Sequence, residues 1–484
     1  MTGTTATTPK KSESSLREVV LDPLAPGMSP LLVRGKRSRR YLTWYTILTA
    51  ATTMVWGAIL NIVLPNHVQM LEFGTWFTGA DATLDLQQLA LLQQQVVDGL
   101  VSPSAEQARQ LALLADFNAA RAQSLSVITS VGVVLTMLLQ PVIGVLADRT
   151  RSRWGRRAPW ILFGTVIGSA LLSLVRFAPS IAVLAVLFML AQAALNVALG
   201  PLATTVADRM PEHRRGTASA LGGFGNFFGG LVGGLGAGAF FATMGLDLYF
   251  VVSMIVTLVG IIFVLAARDG SSKELHVEKI NWKDFLVGFT IALKSPKFRW
   301  VWVARILLTF GYTVSTALSL YMLQSFVKPA LSQAEATQTA PLLMLAGIPV
   351  TILAIFVAGR LSDKTGKRKI FVIVASALMA LSMLIPLLMP TVPGLFVQAI
   401  VGGFAFGIYL PVDQALFIDV LPDQSAAGRD LGVAGLGSNL GQAVGPILAG
   451  LIVSISGGYA GIWVAAFVLV GLAAVVLLPL KGIR

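Results

Sequence analysis

No cysteine occurs among the 484 residues, which excludes disulfides and thiolate metal sites. Charge is scarce as well: 12% of residues are Asp, Glu, Lys or Arg, against about 25% in soluble domains. Three histidines (His67, His213 and His276) lie far apart, leaving little to build a metal cluster, and no metal or cofactor is expected. No Gly-x-x-x-x-Gly-Lys-Ser/Thr loop is present, so ATP-driven chemistry is unsupported. No nucleophile–base constellation stands out either, and the chain does not read as an enzyme. Acids are outnumbered, with 23 Asp and Glu against 36 Lys and Arg and a formal charge of +13. Those bases sit in short clusters between apolar runs, the pattern of loops retained on one membrane face, and nucleic acid is not expected as a partner.

What the chain has is apolar length. Hydrophobic residues make up 55% of it and the mean hydropathy is +0.77. A helix needs about 20 apolar residues to cross the hydrocarbon core. Runs of that size fall at 41–64, 123–147, 159–177, 180–206, 217–242 and 248–267, and again at 300–326, 340–360, 370–389, 393–418, 431–455 and 460–481. Long apolar runs exclude a barrel, which would show short alternating strands. The expected fold is an all-α membrane protein with twelve transmembrane helices in two six-helix halves. Residues 1–40 read as a disordered basic tail, 41–267 as the first half, 268–299 as a linker and 300–484 as the second half. Bases crowd the segment before the first span, the loops after even spans and the tail, which places both termini in the cytoplasm. A multi-pass, monomeric protein of the cytoplasmic (inner) membrane is expected, with the bilayer and a small-molecule solute as partners.

One connection is too long for an ordinary loop. Residues 65–122 carry Glu72, Asp81, Asp85, Asp98, Glu106 and Asp116 against Arg109 and Arg121, which suits the outer side. Asp85 to Val97 has helical apolar spacing, and Ser104 followed by Gln107 resembles a capping box opening a second helix that can run into the second span. An external helical hairpin follows, acting as a cap, a lid or a docking surface.

The halves repeat each other. Gly144 to Arg157, GVLADRTRSRWGRR, has a weaker copy at Gly359 to Lys369, GRLSDKTGKRK. Pro201 to Asp208, then Arg215 and Gly216, is echoed by Pro411 to Asp419, then Gly428 and Arg429; Asn226 is echoed by Asn439. Six helices per unit send both copies in from the same side, so the halves relate by an axis along the membrane normal. Asp148 sits at a helix C-terminus, where the helix dipole disfavours a carboxylate. It needs outside compensation, and a partner present in one conformation only would make a latch. The residues assigned to such a gate are Asp148, Arg149, Arg153, Arg156, Arg157, Asp208 and Arg215, with Asp363, Lys364, Arg368, Asp419 and Arg429 in the copy.

On these motifs the chain resembles the major facilitator superfamily, over all twelve spans. The four residues Arg151 to Trp154, inserted in the first signature loop and followed by Ala158-Pro159-Trp160, are similar to the sucrose transporters and glycoside–cation symporters. The resemblance implies a cavity lined by spans 1, 4, 7 and 10, and gate contacts that form when the cytoplasmic side is closed. Two departures qualify it. Spans 2 and 4 lack the internal carboxylates that serve sodium coupling in the glycoside symporters. Gly441 to Gly450 resembles an exporter motif, displaced from span 5 to span 11.

Charges inside spans carry a functional expectation, and two stand out. Arg305 in span 7 and Asp413 in span 10 lie about one turn from the same face, and they are expected to meet in the cavity, as a static salt bridge or for ion (proton) coupling or substrate contact. Trp56, Asn61, Gln192, Asn196, Tyr312, Thr316, Tyr409 and Gln414 are the candidate lining of a cavity for a hydroxyl-rich solute. The function expected is secondary active transport of a sugar or glycoside by alternating access with proton symport. A drug or metabolite exporter, and a non-transporting membrane scaffold, are the alternatives.

Overall fold

The structure is a computed structural model describing residues 19–21, 29–276, 290–422 and 427–480. Among these, twelve helices cross: α1 (Lys36–Trp76), α2 (Ala105–Asp148), α3 (Ala158–Val175), α4 (Ile181–Arg209), α5 (Glu212–Met244), α6 (Leu248–Ala266), α7 (Pro296–Thr316), α8 (Gln333–Thr365), α9 (Arg368–Ser382), α10 (Val392–Asp419), α11 (Ala427–Ser456) and α12 (Ala460–Leu477). The stretch Glu212–Ala266 is apolar almost throughout, but it counts twice. A straight helix of that size would run about 80 Å at 1.5 Å per residue, far beyond a core of about 30 Å. The turn Gly245–Asp247, opened by Gly245 at φ +51, separates α5 from α6. Span 7 is likewise completed by Ser319–Ser325, bent 45° from α7.

One sequence expectation changes, and another takes its longer form. The tail expected to be disordered to residue 40 contains an antiparallel ribbon, β1 (Val19–Leu21) paired with β2 (Leu31–Arg34), and α1 starts at Lys36. Its reason is apolar: Leu32 is buried in a cluster with Tyr41, Leu42 and Phe263, and the Val33 carbonyl accepts from Arg214. The second span is also far longer than the apolar run, because the capping box forms as read. Ser104 Oγ accepts from Gln107 N–H while Gln107 Oε1 accepts from Ser104 N–H, at 3.2 and 2.9 Å. The helix beginning there continues without a break to Asp148.

The duplication reappears as packing. In α5, Gly225, Gly229 and Gly233 face α1, and in α11, Gly437, Gly441 and Gly445 face α7. A Cβ on Gly229 would lie 2.1 Å from the Ala50 carbonyl oxygen; one on Gly441 would lie 2.3 Å from Thr309 Oγ1. Both glycine ridges therefore exist to let helix backbones touch, as small residues do in lipid, which accounts structurally for the stretch that resembles an exporter motif.

The halves meet through α2 against α11 and α5 against α8. Side-chain bonds across the join gather at the end bearing the 65–122 insertion. Asn66 Nδ2 donates to Thr337 Oγ1 at 3.1 Å, Gln333 Nε2 to Asn66 Oδ1 at 2.8 Å, and Tyr321 Oη to the Pro65 carbonyl at 2.8 Å. The insertion itself reaches over: its helix Leu86–Val97 places Gln94 Nε2 on the Val327 carbonyl at 2.8 Å, and Asp98 pairs with Lys328 at 2.6 Å. At the opposite, basic end the loop ion pairs Arg156–Asp208, Arg157–Asp148, Arg157–Asp208 and Arg368–Asp419 each close within one half.

Candidate functional site

Three places carry the residues singled out by sequence: a buried ion pair, a cavity between the halves, and the two basic loops. The ion pair joins α7 to α10. Arg305 Nε donates to Asp413 Oδ2 at 2.8 Å and its Nη2 meets the same oxygen. Both side chains are nearly out of contact with solvent, at 7% and 4% exposure. Arg305 Nη2 also reaches Gln414 Oε1 at 3.4 Å, and the guanidinium lies 3.9 Å from the centre of the Phe417 ring. Phe417 in turn packs edge-on to Phe298. Tyr409 lies one helical turn from Asp413. Charges placed this way in an apolar interior are held by each other.

The cavity, about 530 Å³, lies between α1 and α5 on one side and α7, α8 and α10 on the other. Asn61, Tyr312 and Thr316 line it, as does Asn226, half of the repeated asparagine pair. Asn61 sits in the π-helical segment Trp56–Val63 within α1. Such segments interrupt the regular ladder and recur at functional sites; here the backbone approaches α5 so closely that a Cβ on Gly57 would fall 1.9 Å from the Gly230 carbonyl oxygen. Tyr312 stacks on Phe406 with centroids 5.3 Å apart and planes 15° off parallel. Phe406, Gln398 and Thr351 line the wall too and carry no signal in the sequence that separates them from packing residues.

The other cavity candidates lie elsewhere. Trp56, Gln192, Asn196, Tyr409 and Gln414 are absent from this wall, as are Arg305 and Asp413. Gln192 and Asn196 do share one face of α4, Asn196 Nδ2 donating to the Gln192 carbonyl at 2.9 Å. That face turns to α2: the Gln192 amide occupies the notch at Gly132, where a Cβ would meet its Oε1 at 2.1 Å. Close packing within the first half takes the side chain that polarity alone assigns to the cavity.

The basic loops form matching networks. Arg157, buried, pairs with Asp148 and donates from Nε to Asp208 Oδ2 at 2.9 Å, while Arg156 reaches the same carboxylate from Nε at 3.2 Å. Thus the end of α2 and the end of α4 are tied through the loop between α2 and α3. In the copy, Arg368 bonds Asp419 and the Ala415 carbonyl and stands 3.7 Å from Asp363. Arg153 lies over the Trp154 ring, and Arg215 binds the Ala207 and Met210 carbonyls that end α4. Arg149 keeps a partner of its own, Lys364 falls in the last turn of α8, and the Arg429 side chain lies outside the described residues. The four inserted residues act mechanically, since Ser152 exchanges backbone and side-chain bonds with Ser272, at 2.9 Å each way, docking the segment after α6. There Asp269 lies half-buried beside Gly155, and desolvation pushes its carboxyl pKa up against the pull of Arg209.

A family described as MFS/sugar transport protein matches residues 113–478. The chain belongs to this family. As an MFS/sugar transport protein it has relatives that are permeases and symporters and not enzymes. It is 31% identical over 108 residues to the lactose permease of Lactobacillus helveticus, covering 20% of this chain and 17% of that protein. It is 22% identical over 282 residues to the lactose permease of Leuconostoc lactis, covering 49% and 43%. It is 56% identical over 32 residues, 7% of each chain, to the inner membrane symporter YicJ of Escherichia coli. The chain therefore spans less than half the length of these curated relatives. Among solved structures, the nucleoside transporter NupG aligns with a TM-score of 0.64 at 13% identity, covering 91% of this chain and 99% of that one. A bacterial homologue of the human lysosomal transporter Spinster, inward-facing and occupied, aligns at 0.60 and 16%, covering 91% and 95%. These structures establish the fold: a multi-pass membrane protein of two six-helix halves.

Proposed function

We propose that this protein is a secondary active transporter that moves a sugar or glycoside by alternating access, coupled to protons. The observation that carries the reading is the cavity between the halves. Its wall sets the Tyr312–Phe406 stack against the amides of Asn61, Asn226 and Gln398, and aromatic faces with a few amides suit a hydroxyl-rich ring. The lactose permeases among the relatives support a saccharide. Bonding across the halves at the insertion end supports a state closed there, and the paired basic loops are the surfaces that would meet in the opposite state. Arg305–Asp413 is the coupling element in this reading: protonation of Asp413 releases the guanidinium toward Gln414 and loosens α7 from α10.

Both termini are assigned to the cytoplasm, the membrane to the cytoplasmic one, and the working unit to a monomer. Reconstituted protein should accumulate a saccharide from a panel including lactose when an inward proton gradient is imposed. Accumulation indifferent to the gradient removes proton coupling, and flux of no saccharide removes the substrate class. One observation favours a second reading, export of apolar metabolites: Phe227, Met344, Ile348 and Leu410 make much of the same wall apolar. Extrusion of a lipophilic cation from loaded vesicles, with no saccharide uptake, would select it.

A further inference from the structure

A second cavity, about 730 Å³, lies at the insertion end, between the halves and under the first residues of the insertion's helix. Its position is set by sequence: the capping box starts α2 well before its apolar run, and the added turns carry Leu114, Phe117 and Arg121 to its wall. Arg121 is buried, at 2% exposure, and among the described residues it has no ion-paired carboxylate. The nearest acid along α1, Glu72, is occupied by Ser124 Oγ at 2.6 Å and Trp76 Nε1 at 3.2 Å.

The guanidinium makes three neutral hydrogen bonds. Nη1 donates to Gln69 Oε1 at 2.8 Å and Gln324 Oε1 at 2.9 Å, and Nη2 donates to Ser325 Oγ at 2.9 Å. It is sandwiched by Phe117 and Tyr321, 5.0 and 4.5 Å to the ring centres. One buried donor among the residues of this wall, Gln324 Nε2, has no partner, and Arg121 Nε lies by the buried hydroxyl of Tyr459. The orientation of Gln324 is fixed by chemistry, because arginine only donates and so takes the amide oxygen, leaving the NH₂ free. An unmatched buried donor is costly, and a buried guanidinium whose partners are neutral is compensated better by an anion, whose acceptor oxygens suit Arg121 and the Gln324 amide together.

We propose that this cavity is a second ligand site, separate from the one between α1, α5, α7, α8 and α10, for an organic carboxylate with a ring body. The carboxylate answers Arg121 and Gln324, while Phe73, Leu114 and Phe241 receive the ring. Arg121 belongs to the first half and Gln324 to the second, so a ligand bridging them ties the halves at the insertion end. Occupancy holds the state closed there and inhibits transport without competing at the central cavity.

The site does not depend on the transported solute, and its test reads binding. The full chain in neutral-lipid nanodiscs is titrated calorimetrically with naphthoate and with naphthamide, which match in shape and differ in charge. Expected is one saturable naphthoate site per chain, at least tenfold tighter than naphthamide. Arg121→Gln abolishes the preference, and Gln324→Leu weakens naphthoate several-fold while leaving Arg121 in place. Because the chain has no cysteine, Met70→Cys, half exposed on the cavity wall, gives an independent reading should Arg121→Gln misfold. Naphthoate should slow its maleimide labelling at least threefold, and naphthamide should not. Equal binding of the two compounds, naphthoate binding that survives Arg121→Gln in a folded variant, or unprotected labelling each overturns the proposal. Saccharide uptake failing while naphthoate binds would remove the transport reading alone.

Discussion

The ion pair between α7 and α10 separates a structural from a coupling role. Asp413→Asn leaves the Arg305 guanidinium buried at 7% exposure, with a neutral amide, Gln414 Oε1 at 3.4 Å, the Tyr409 hydroxyl and the Phe417 ring as its compensation among the described residues. Stranding one member of a buried pair costs about 3–5 kcal/mol, while replacing both by apolar residues of similar volume is often neutral or favourable. The two residues touch, so their effects must be non-additive. Asp413→Asn and Arg305→Met should each lower the apparent melting midpoint in nanodiscs substantially, and Arg305→Met with Asp413→Leu should recover most of the loss. Uptake driven by a proton gradient decides the role. If Asp413 carries the proton, the recovered double variant stays unable to accumulate solute, although counterflow without a gradient persists. Full gradient-driven accumulation by a stable double variant would refute coupling through this pair and leave a structural strut.

Other expectations follow from single contacts. Gly229→Val drives a side chain into the Ala50 carbonyl and should cost about 1–3 kcal/mol or more. Gly223→Ala, which meets nothing within 4 Å, should leave the melting midpoint unchanged, and equal effects would refute the glycine ridge. Arg157→Gln removes the link between Asp148 and Asp208 and should cost about 1.5–3 kcal/mol, the range for bonds to charged groups; an unchanged midpoint would deny the loop a structural role. Asp98→Cys with Lys328→Cys, placed at a 2.6 Å ion pair across the halves, should block transport once joined by a short cross-linker and recover on its cleavage. Transport surviving complete cross-linking would sink the alternating closure at that end. Asp269 has its carboxyl pKa raised by burial, so the folded state favours its neutral form. Stability from that form is present below the ordinary carboxyl pKa of about 3.9 and is lost as pH rises through the folded value. Asp269→Asn should therefore stabilise at neutral pH and make no difference in acid; the reverse pattern would show the carboxylate to be the favoured form.

The sequence exposes what depends on solvent and repetition. Lipid demands apolar runs of fixed length, so twelve crossings are readable, and the repeated Gly-x-x-x-Asp loops announce the halves and their matching networks. Arg305 and Asp413 are legible because a charge inside a span is rare. Which polar side chains face a cavity is another matter, since polarity does not encode direction around a helix. Gln192 and Asn226 look alike in sequence; a glycine on a neighbouring helix, Gly132, turns Gln192 into packing, while Asn226 reaches the cavity. Arg121 is hidden for a different reason: the capping box at Ser104 winds it into α2, but nothing local shows that its guanidinium is buried against Gln324 and Ser325 of the second half.

That extension gives the 65–122 insertion a role that an unattached cap would lack. Its contacts run to both halves: Gln94 and Asp98 reach Val327 and Lys328 in the second, and Arg121 ties Gln69 of the first to Gln324 of the second. The exposed Asp98–Lys328 pair contributes about 0–1 kcal/mol, and the buried Arg121 bonds, made by a charged donor, about 1.5–3 kcal/mol each. Strong bonds here would work against a transporter, since a state held several kcal/mol below its counterpart is hardly left during turnover. Contacts of about one to a few kcal/mol distributed over one strap bias the balance and still break together. In the proposed alternating cycle the insertion would set how long the protein rests closed at that end, and trimming it should speed opening more than it alters solute affinity.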